Sequence, residues 1–165
     1  SECITRNIGL RQAELRKGKL LINNEFATAN LAEWDAVKNL DEVVKLGYSG
    51  IIITLDRKAE KVIEECAKRG LYVVVRTPID TTLLGDHIRR GGNPSNDPLW
   101  NESYLWRNSY ALHTTKSNCA VIGYAIAKGK TSGVNIYDTY ILLKSLAPNN
   151  LVIYEGAKGE WATDK

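Results

Sequence analysis

Short apolar runs alternate with amphipathic stretches along most of the chain. Ile51-Ile52-Ile53-Thr54-Leu55 is a β-branched run between Tyr48-Ser49-Gly50 and Asp56-Arg57-Lys58, the pattern of a strand buried on both faces. Ala59, Val62, Ile63, Cys66 and Ala67 then recur at i, i+3, i+4, i+7 and i+8, which predicts a helix. Asp56 can cap its start, Lys68 and Arg69 suit its last turn, and Gly70 stops it. Leu71 to Val75 reads as a second buried strand, so residues 50 to 76 form a strand-helix-strand unit whose expected geometry is a right-handed parallel crossover. Upstream, Val37, Leu40, Val44 and Gly47 place one apolar face on a helix expected from about Leu31 to Leu46. Downstream comes a long turn-rich loop over 77 to 98, then a helix from Leu99 to Thr115 holding Trp100, Tyr104, Leu105 and Leu112. Ala120 to Ile126 is a third strand, Val134 to Leu146 a helix stopped by Pro148, and Leu151 to Tyr154 a fourth strand. No internal repeat is visible.

This alternation predicts an α/β fold with a parallel sheet, either doubly wound or a (β/α)8 barrel. The glycine fingerprint of the doubly wound dinucleotide binders is missing. Gly129-Lys130-Thr131 mimics the end of a phosphate-binding loop, but Tyr124 stands where its first glycine is required. A composition of 44% hydrophobic and 25% charged residues is that of a globular chain. No apolar run approaches the roughly 18 to 20 residues of a bilayer span, which argues against a membrane protein. A net charge of +3, with no basic cluster beyond Lys128 and Lys130, argues against nucleic acid as a partner. Cys3, Cys66 and Cys119 show no CxxC and no histidine at ligand spacing, so no metal and no cofactor is expected. Cys66 falls on a helix's apolar stripe and reads as a buried hydrophobe, and His87 and His113 read as ordinary histidines.

Three stretches carry a family resemblance. Ile8-Gly9-Leu10-Arg11, followed by Glu14 to Ile22 and Asn23-Asn24, resembles the segment that leads into the catalytic barrel of glycoside hydrolase family 2, the β-galactosidase and β-glucuronidase family. Cys66-Ala67-Lys68-Arg69-Gly70-Leu71-Tyr72-Val73-Val74 is similar to the family's helix-to-strand-three junction. Lys144-Ser145-Leu146-Ala147-Pro148, Tyr154-Glu155-Gly156 and Thr163-Asp164 resemble its Lys-Ser-Val-Asp-Pro, Tyr-Glu-Gly and Thr-Asp. The order and spacing of these stretches cover nearly the whole chain.

The resemblance implies a TIM barrel with its chemistry at the C-terminal ends of the strands, and there the sequence departs from the family. The family's strand Trp-Ser-Leu-Gly-Asn-Glu, which ends in the acid/base, falls on Tyr124-Ala125-Ile126-Ala127-Lys128-Gly129. Gly129 thus occupies the acid/base position and Lys128 that of a sugar-binding asparagine. A retaining glycosidase needs two carboxyl groups about 5 to 5.5 Å apart, and glycine supplies neither. The neighbouring lysines stay charged at neutral pH and are poor proton donors. The family's nucleophile belongs to a later strand than those matched here. Its Arg and His after strand two fall on Ile52 and Leu55, its Asp-Glu-Ala-Asn on Val75-Arg76-Thr77-Pro78, and its His-rich loop shortens to Glu25 to Asn30.

The expectation is therefore a partial (β/α)8 TIM-barrel-like domain, an α/β fold with about five of eight strands in a parallel sheet, since a full barrel takes about 250 residues and this chain has 165. Residues 1–24 are expected to be a lead-in strand segment from a preceding domain, and 25–165 the N-terminal part of a glycosidase-like barrel. A start at Ser1 and the absence of methionine suggest a piece of a larger protein. Three functions compete. One is part of a family 2 protein resembling β-galactosidase, itself inactive because of Gly129. Another is a non-catalytic carbohydrate-binding or interaction scaffold, with Glu155, Trp100, Trp161 and Arg76 as candidate sugar contacts and Trp106 and Tyr104 as further aromatics. The third, a cellulase-type barrel, lacks its Asn-Glu-Pro signature at Lys128-Gly129-Lys130. A β-galactoside or oligosaccharide is the expected partner, self-association through open barrel edges a second one, and the resemblance points to a bacterial periplasm or cell surface.

Overall fold

In the computed structural model, which describes residues 9–83, 93–157 and 163–164, five parallel strands stand side by side in sequence order. They are β4 (Leu31–Glu33), β5 (Gly50–Thr54), β6 (Tyr72–Arg76), β7 (Val121–Ala125) and β8 (Leu151–Ile153). Before them β1 (Ala13–Arg16), β2 (Lys19–Ile22) and β3 (Glu25–Phe26) make a small antiparallel sheet. A doubly wound sheet reverses its strand order at a switch point, whereas this one runs β4-β5-β6-β7-β8 without reversal, the winding of a barrel.

The crossovers follow the apolar pattern. Helix α2 (Ala59–Arg69) buries Ala59, Ile63 and Cys66, and Gly70 ends it at φ +71° with its N–H on Ala67 and Cys66 carbonyls. Asp56 Oδ1 accepts from the N–H groups of Lys58 and Ala59, both at 2.8 Å, as a cap should. Helix α3 (Asn101–Thr115) and α4 (Val134–Leu146) lie close to their expected bounds, with Pro98–Trp100 a turn of 3-10 helix ahead of α3.

One expected element is wrong. The span Leu31 to Leu46 is not a helix: it contains β4, a 3-10 turn at Trp34–Ala36 and the short helix α1 (Leu40–Lys45). Asn39 accepts the Glu42 N–H at 3.0 Å and so starts the helix at Leu40. Its inward face is Leu40 and Val43, while Val44 is exposed, and Gly47 at φ +79° lies in the turn after the helix. Leu31-Ala32-Glu33 pairs with Gly50-Ile51-Ile52 and supplies the first barrel strand, too short and mixed to announce itself by alternation.

The sheet has two unlike faces. Ile51, Ile53, Val73, Val75, Tyr124 and Val152 meet the helices in the main core. Val74, Ile122 and Ala125, flanked by Ile52, Tyr72, Leu151 and Ile153, form the face away from the helices, onto which Ala13, Leu20 and Ile22 of the β1–β2 hairpin pack. Arg11 fastens that hairpin, lying 4.8 Å over the Tyr72 ring and donating to the Gly70 and Leu71 carbonyls. Val73 faces Val121 but Val74 faces Gly123, so Ile122 is an extra residue in β7.

The outer edge of β8 is covered. The Val152 N–H donates to Asp164 Oδ2 at 2.8 Å, the Asp164 N–H returns to the Val152 carbonyl, and the Tyr154 N–H donates to Thr163 Oγ1. Asp164 also accepts from Tyr140 Oη at 2.9 Å and Lys144 Nζ at 3.0 Å on α4. Burial, then the Asp164 carboxylate beside it, pushes the Tyr140 hydroxyl up to about 12. The unfolded chain loses this proton near pH 10 while the folded chain keeps it, so the contribution is intact below pH 10 and is lost as pH rises toward 12. Tyr104, Tyr124 and Tyr154 shift the same way, first through burial. Denaturation midpoints should fall across pH 10 to 12, and Tyr140→Phe should make that fall shallower.

Cys66 is fully buried, and burial pushes its thiol up to about 12. A thiol reagent at pH 8 should label Cys119 and leave Cys66 untouched until the chain unfolds, which a mass measurement of modified peptides would read.

Candidate active site

The strand ends of a barrel are where chemistry is placed, so the residues there define the site. Alternation along β6 puts Tyr72, Val74 and Arg76 on the face away from the helices, and the same rule puts Glu33 at the end of β4 on that face. Glu155 follows β8. Three strands thus deliver their last polar residues to one spot. Arg76 donates from Nη1 to Glu33 Oε2 at 2.8 Å and from Nη2 to Glu33 Oε1 and Glu155 Oε1, both at 2.6 Å. The arginine side chain is 2% exposed, whereas Glu33 and Glu155 are 40% and 49% exposed, so a buried cation is held by two anions that reach solvent. Burial opposes the guanidinium's charge, but the glutamate hydrogen bonds and charges outweigh it and hold its pKa above the ordinary value. Arg76 Nε is buried and finds no acceptor among the described residues.

The two accepting carboxylate oxygens lie no further apart than twice 2.6 Å, since both touch one nitrogen. That bound does not exceed the separation of carboxyl groups in a retaining glycosidase, about 5 to 5.5 Å. Here, however, the guanidinium occupies the gap where an anomeric carbon and its leaving oxygen would sit. The arrangement is a salt-bridge clasp across the first, third and fifth barrel strands.

Beside the clasp, a cleft of about 480 Å³ opens above β4, β5, β6 and β7. Trp34 gives it an aromatic wall, Asp35, Asp56 and Asp80 line it with carboxylates, and Lys58 and Lys128 add ammonium groups. Asp80 Oδ1 accepts from the Thr82 hydroxyl and N–H at 2.6 and 2.8 Å, the main causes that hold its carboxyl below the usual range.

Gly129 lies one residue beyond this lining. The Lys128 N–H donates to the Ile79 carbonyl and the Lys128 carbonyl accepts from the Thr81 N–H, each at 2.8 Å, so the backbone after β7 is laced to the segment after β6. Gly129 takes φ +140°, where L side chains rarely go, and a Cβ there would overlap the Thr81 hydroxyl. That hydroxyl is in turn part of a buried network. Thr131 Oγ1 donates to Thr81 Oγ1 at 3.0 Å, Ser95 Oγ lies 2.8 Å from Thr131 Oγ1 and 3.0 Å from Tyr104 Oη, and Tyr154 Oη donates to the Thr131 carbonyl. The space a side chain at 129 would need is filled by satisfied polar groups.

Of the candidate sugar contacts, Arg76 and Glu155 come together, and Lys128 lies in the same cleft. Trp100 does not join them: it ends the 3-10 turn before α3, half exposed, outside the cleft lining. Trp161 and His87 lie outside the described residues. Tyr104 is 2% exposed and hydrogen-bonded, so it offers no free ring, and Trp106 stacks on Tyr110 with centroids 5.5 Å apart. Ile52 and Leu55 pack as apolar residues. Glu33, Trp34 and Asp80 were missed by sequence reasoning. For Glu33 and Trp34 the signal was hidden by the misplaced helix, since a strand ending at Glu33 would have marked both as mouth positions.

Comparison with known proteins agrees with this architecture. Residues 57–164 match the family described as glycosyl hydrolases family 2, TIM barrel domain. Among solved structures, a β-glucuronidase from an uncultured Clostridium species superposes with a TM-score of 0.67 at 12% identity, over 89% of this chain and 28% of that one. A Bifidobacterium dentium β-glucuronidase gives 0.65 at 17% identity, over 89% and 26%. An endocellulase from Pyrococcus horikoshii gives 0.62 at 13%, over 88% and 57%. At such identities the likeness is one of fold, and the chain spans only about a quarter of the length of the glucuronidases. No curated protein matches the sequence. The strand order, the polar groups gathered at the strand ends and the match over 57–164 place the chain in glycosyl hydrolase family 2, as part of its TIM barrel domain.

Proposed function

We propose that the chain is part of a family 2 glycoside-processing protein of the β-galactosidase or β-glucuronidase type, and that this chain does not itself cleave glycosides. The observation that carries the reading is Gly129, which the resemblance places at the acid/base position and whose φ of +140° and contact with Thr81 leave no room for a carboxylate. Without a general acid the leaving oxygen departs as an alkoxide, and general acid–base catalysis is typically worth about 10² to 10⁴ in rate. Glu33 and Glu155 do not replace it, because Arg76 fills the gap between them. A second reading, a non-catalytic carbohydrate-binding module, is favoured by the aromatic wall of Trp34 beside carboxylates and ammonium groups. Sugar sites combine an apolar ring face with a few placed donors and acceptors in this way.

Proton NMR of lactose incubated with the purified chain tests the first reading. The anomeric signals of free galactose and glucose should stay absent over a day. Their growth in proportion to protein would refute it.

A further inference from the structure

We propose that the outward face of α3 and α4 pairs with the same face of a second copy of the chain, the two α3 helices running antiparallel across a two-fold axis. Helix α4 is apolar on both its sides. Ile136 and Leu143 are fully buried, yet Ile141 on the opposite side is 48% exposed. Asp138 is the single charge between Val134 and Leu143. A helix that is apolar all round is one whose outer side is also covered. Its flank toward β8 is already engaged, because Tyr140 and Lys144 donate to Asp164. The uncovered flank faces α3, where Leu105, Ile141 and Leu142 line a groove of about 520 Å³. On the crest of α3 beside this groove, the stacked Trp106 and Tyr110 are 65% and 54% exposed.

Trp106, Tyr110 and Ile141 together leave roughly 400 Å² of apolar surface in the open, the size at which a patch marks an interaction site. With a polar rim around it, such a patch supports an interface at the small end of the roughly 800 Å² per partner that is standard, hence a reversible dimer. A second copy fits because ridge and groove lie side by side, and a two-fold axis sets each ridge into the other's groove. Helical spacing places Glu102, Trp106, Ser109, Tyr110 and His113 on the crest of α3. An axis between Arg107 and Asn108 puts Tyr110 opposite Leu105, Trp106 opposite Ser109 and Glu102 opposite His113. Each aromatic ring then meets the groove or a small residue, and an acidic group meets a basic one at either end.

Analytical ultracentrifugation of the purified chain tests the pairing. The chain should sediment as a dimer at about 100 µM and as a monomer at about 1 µM, the range of a small interface. Ile141→Glu and Trp106→Ser, both at exposed positions, should each raise the dissociation constant about tenfold or more with unchanged circular dichroism. His113→Glu sets two glutamates face to face and should weaken the dimer, and adding Glu102→Lys should restore it. Benzoylphenylalanine at position 110, photolysed in a mixture of isotope-labelled and unlabelled chains, should give mixed-isotope peptides that join position 110 to Leu105 or to the Ile141 turn of α4. A monomer at 100 µM, a dimer indifferent to Ile141→Glu, or cross-links confined to one chain overturns the proposal. A double variant that dimerises no better than His113→Glu alone overturns the antiparallel arrangement.

Discussion

Arg76→Met is expected to destabilise the chain by about 2 to 3 kcal/mol, at or below the low end of the roughly 3 to 5 kcal/mol for breaking a fully buried pair, because both glutamates reach water. For a domain of this size that is a drop in Tm of roughly 5 to 10 °C. The change removes the cation that joins the ends of β4 and β8 through β6 and leaves two carboxylates facing each other with nothing between them. Glu33→Gln or Glu155→Gln alone should cost less, since the arginine keeps one anion. If the clasp is the cause, combining Arg76→Met with both glutamine changes should recover part of the loss, because a matched neutral set replaces an orphaned charge. Thermal melts of the four variants check this. Equal losses in the single and the triple variant would assign the effect to packing alone.

Gly129→Glu is the substitution that the family pattern invites, and it is expected to lower stability by about 2 to 4 kcal/mol without creating a glycosidase. The left-handed backbone accounts for about 1 to 3 kcal/mol of this. Displacement of the Thr81 hydroxyl, which accepts from Thr131, accounts for the rest. Gly129→Ala should show most of the loss, since the penalty begins at Cβ. Adding Thr81→Ala should recover only the contact with the hydroxyl, because the Lys128–Thr81 backbone bond still holds the loop. Urea denaturation of the three variants separates these parts. A Gly129→Ala variant as stable as the wild type would show that the loop adapts and that the position is open.

Much of the architecture was legible because the central strands are buried on both faces. Ile51 to Leu55 and Leu71 to Val75 are continuous apolar runs that no loop would carry, and Gly70 marks the helix end between them. The edge strand β4 was not legible. With three residues and one neighbour, Leu31-Ala32-Glu33 has no alternation to read, and the apolar residues after it mimic helical spacing. The site was half legible for the same reason. Arg76 and Glu155 stand at the ends of strands that could be read, while Glu33, the other partner of Arg76, stands at the end of the one that could not. Trp100 lies apart from this group: sequence shows an aromatic residue but not which side of the sheet it reaches. The closure at Gly129 depends on Thr81 and Thr131, 48 residues before and two after it, and no local pattern announces such a meeting.

The most direct test of whether this barrel segment has lost its chemistry is the steady-state rate of nitrophenol release by the purified chain from 4-nitrophenyl β-galactoside and β-glucuronide, measured beside Glu33→Gln and Glu155→Gln. All three proteins should match the buffer rate. Turnover by the wild type that either glutamine change abolishes would contradict the loss of catalysis and make the Glu33–Glu155 pair a working carboxylate dyad.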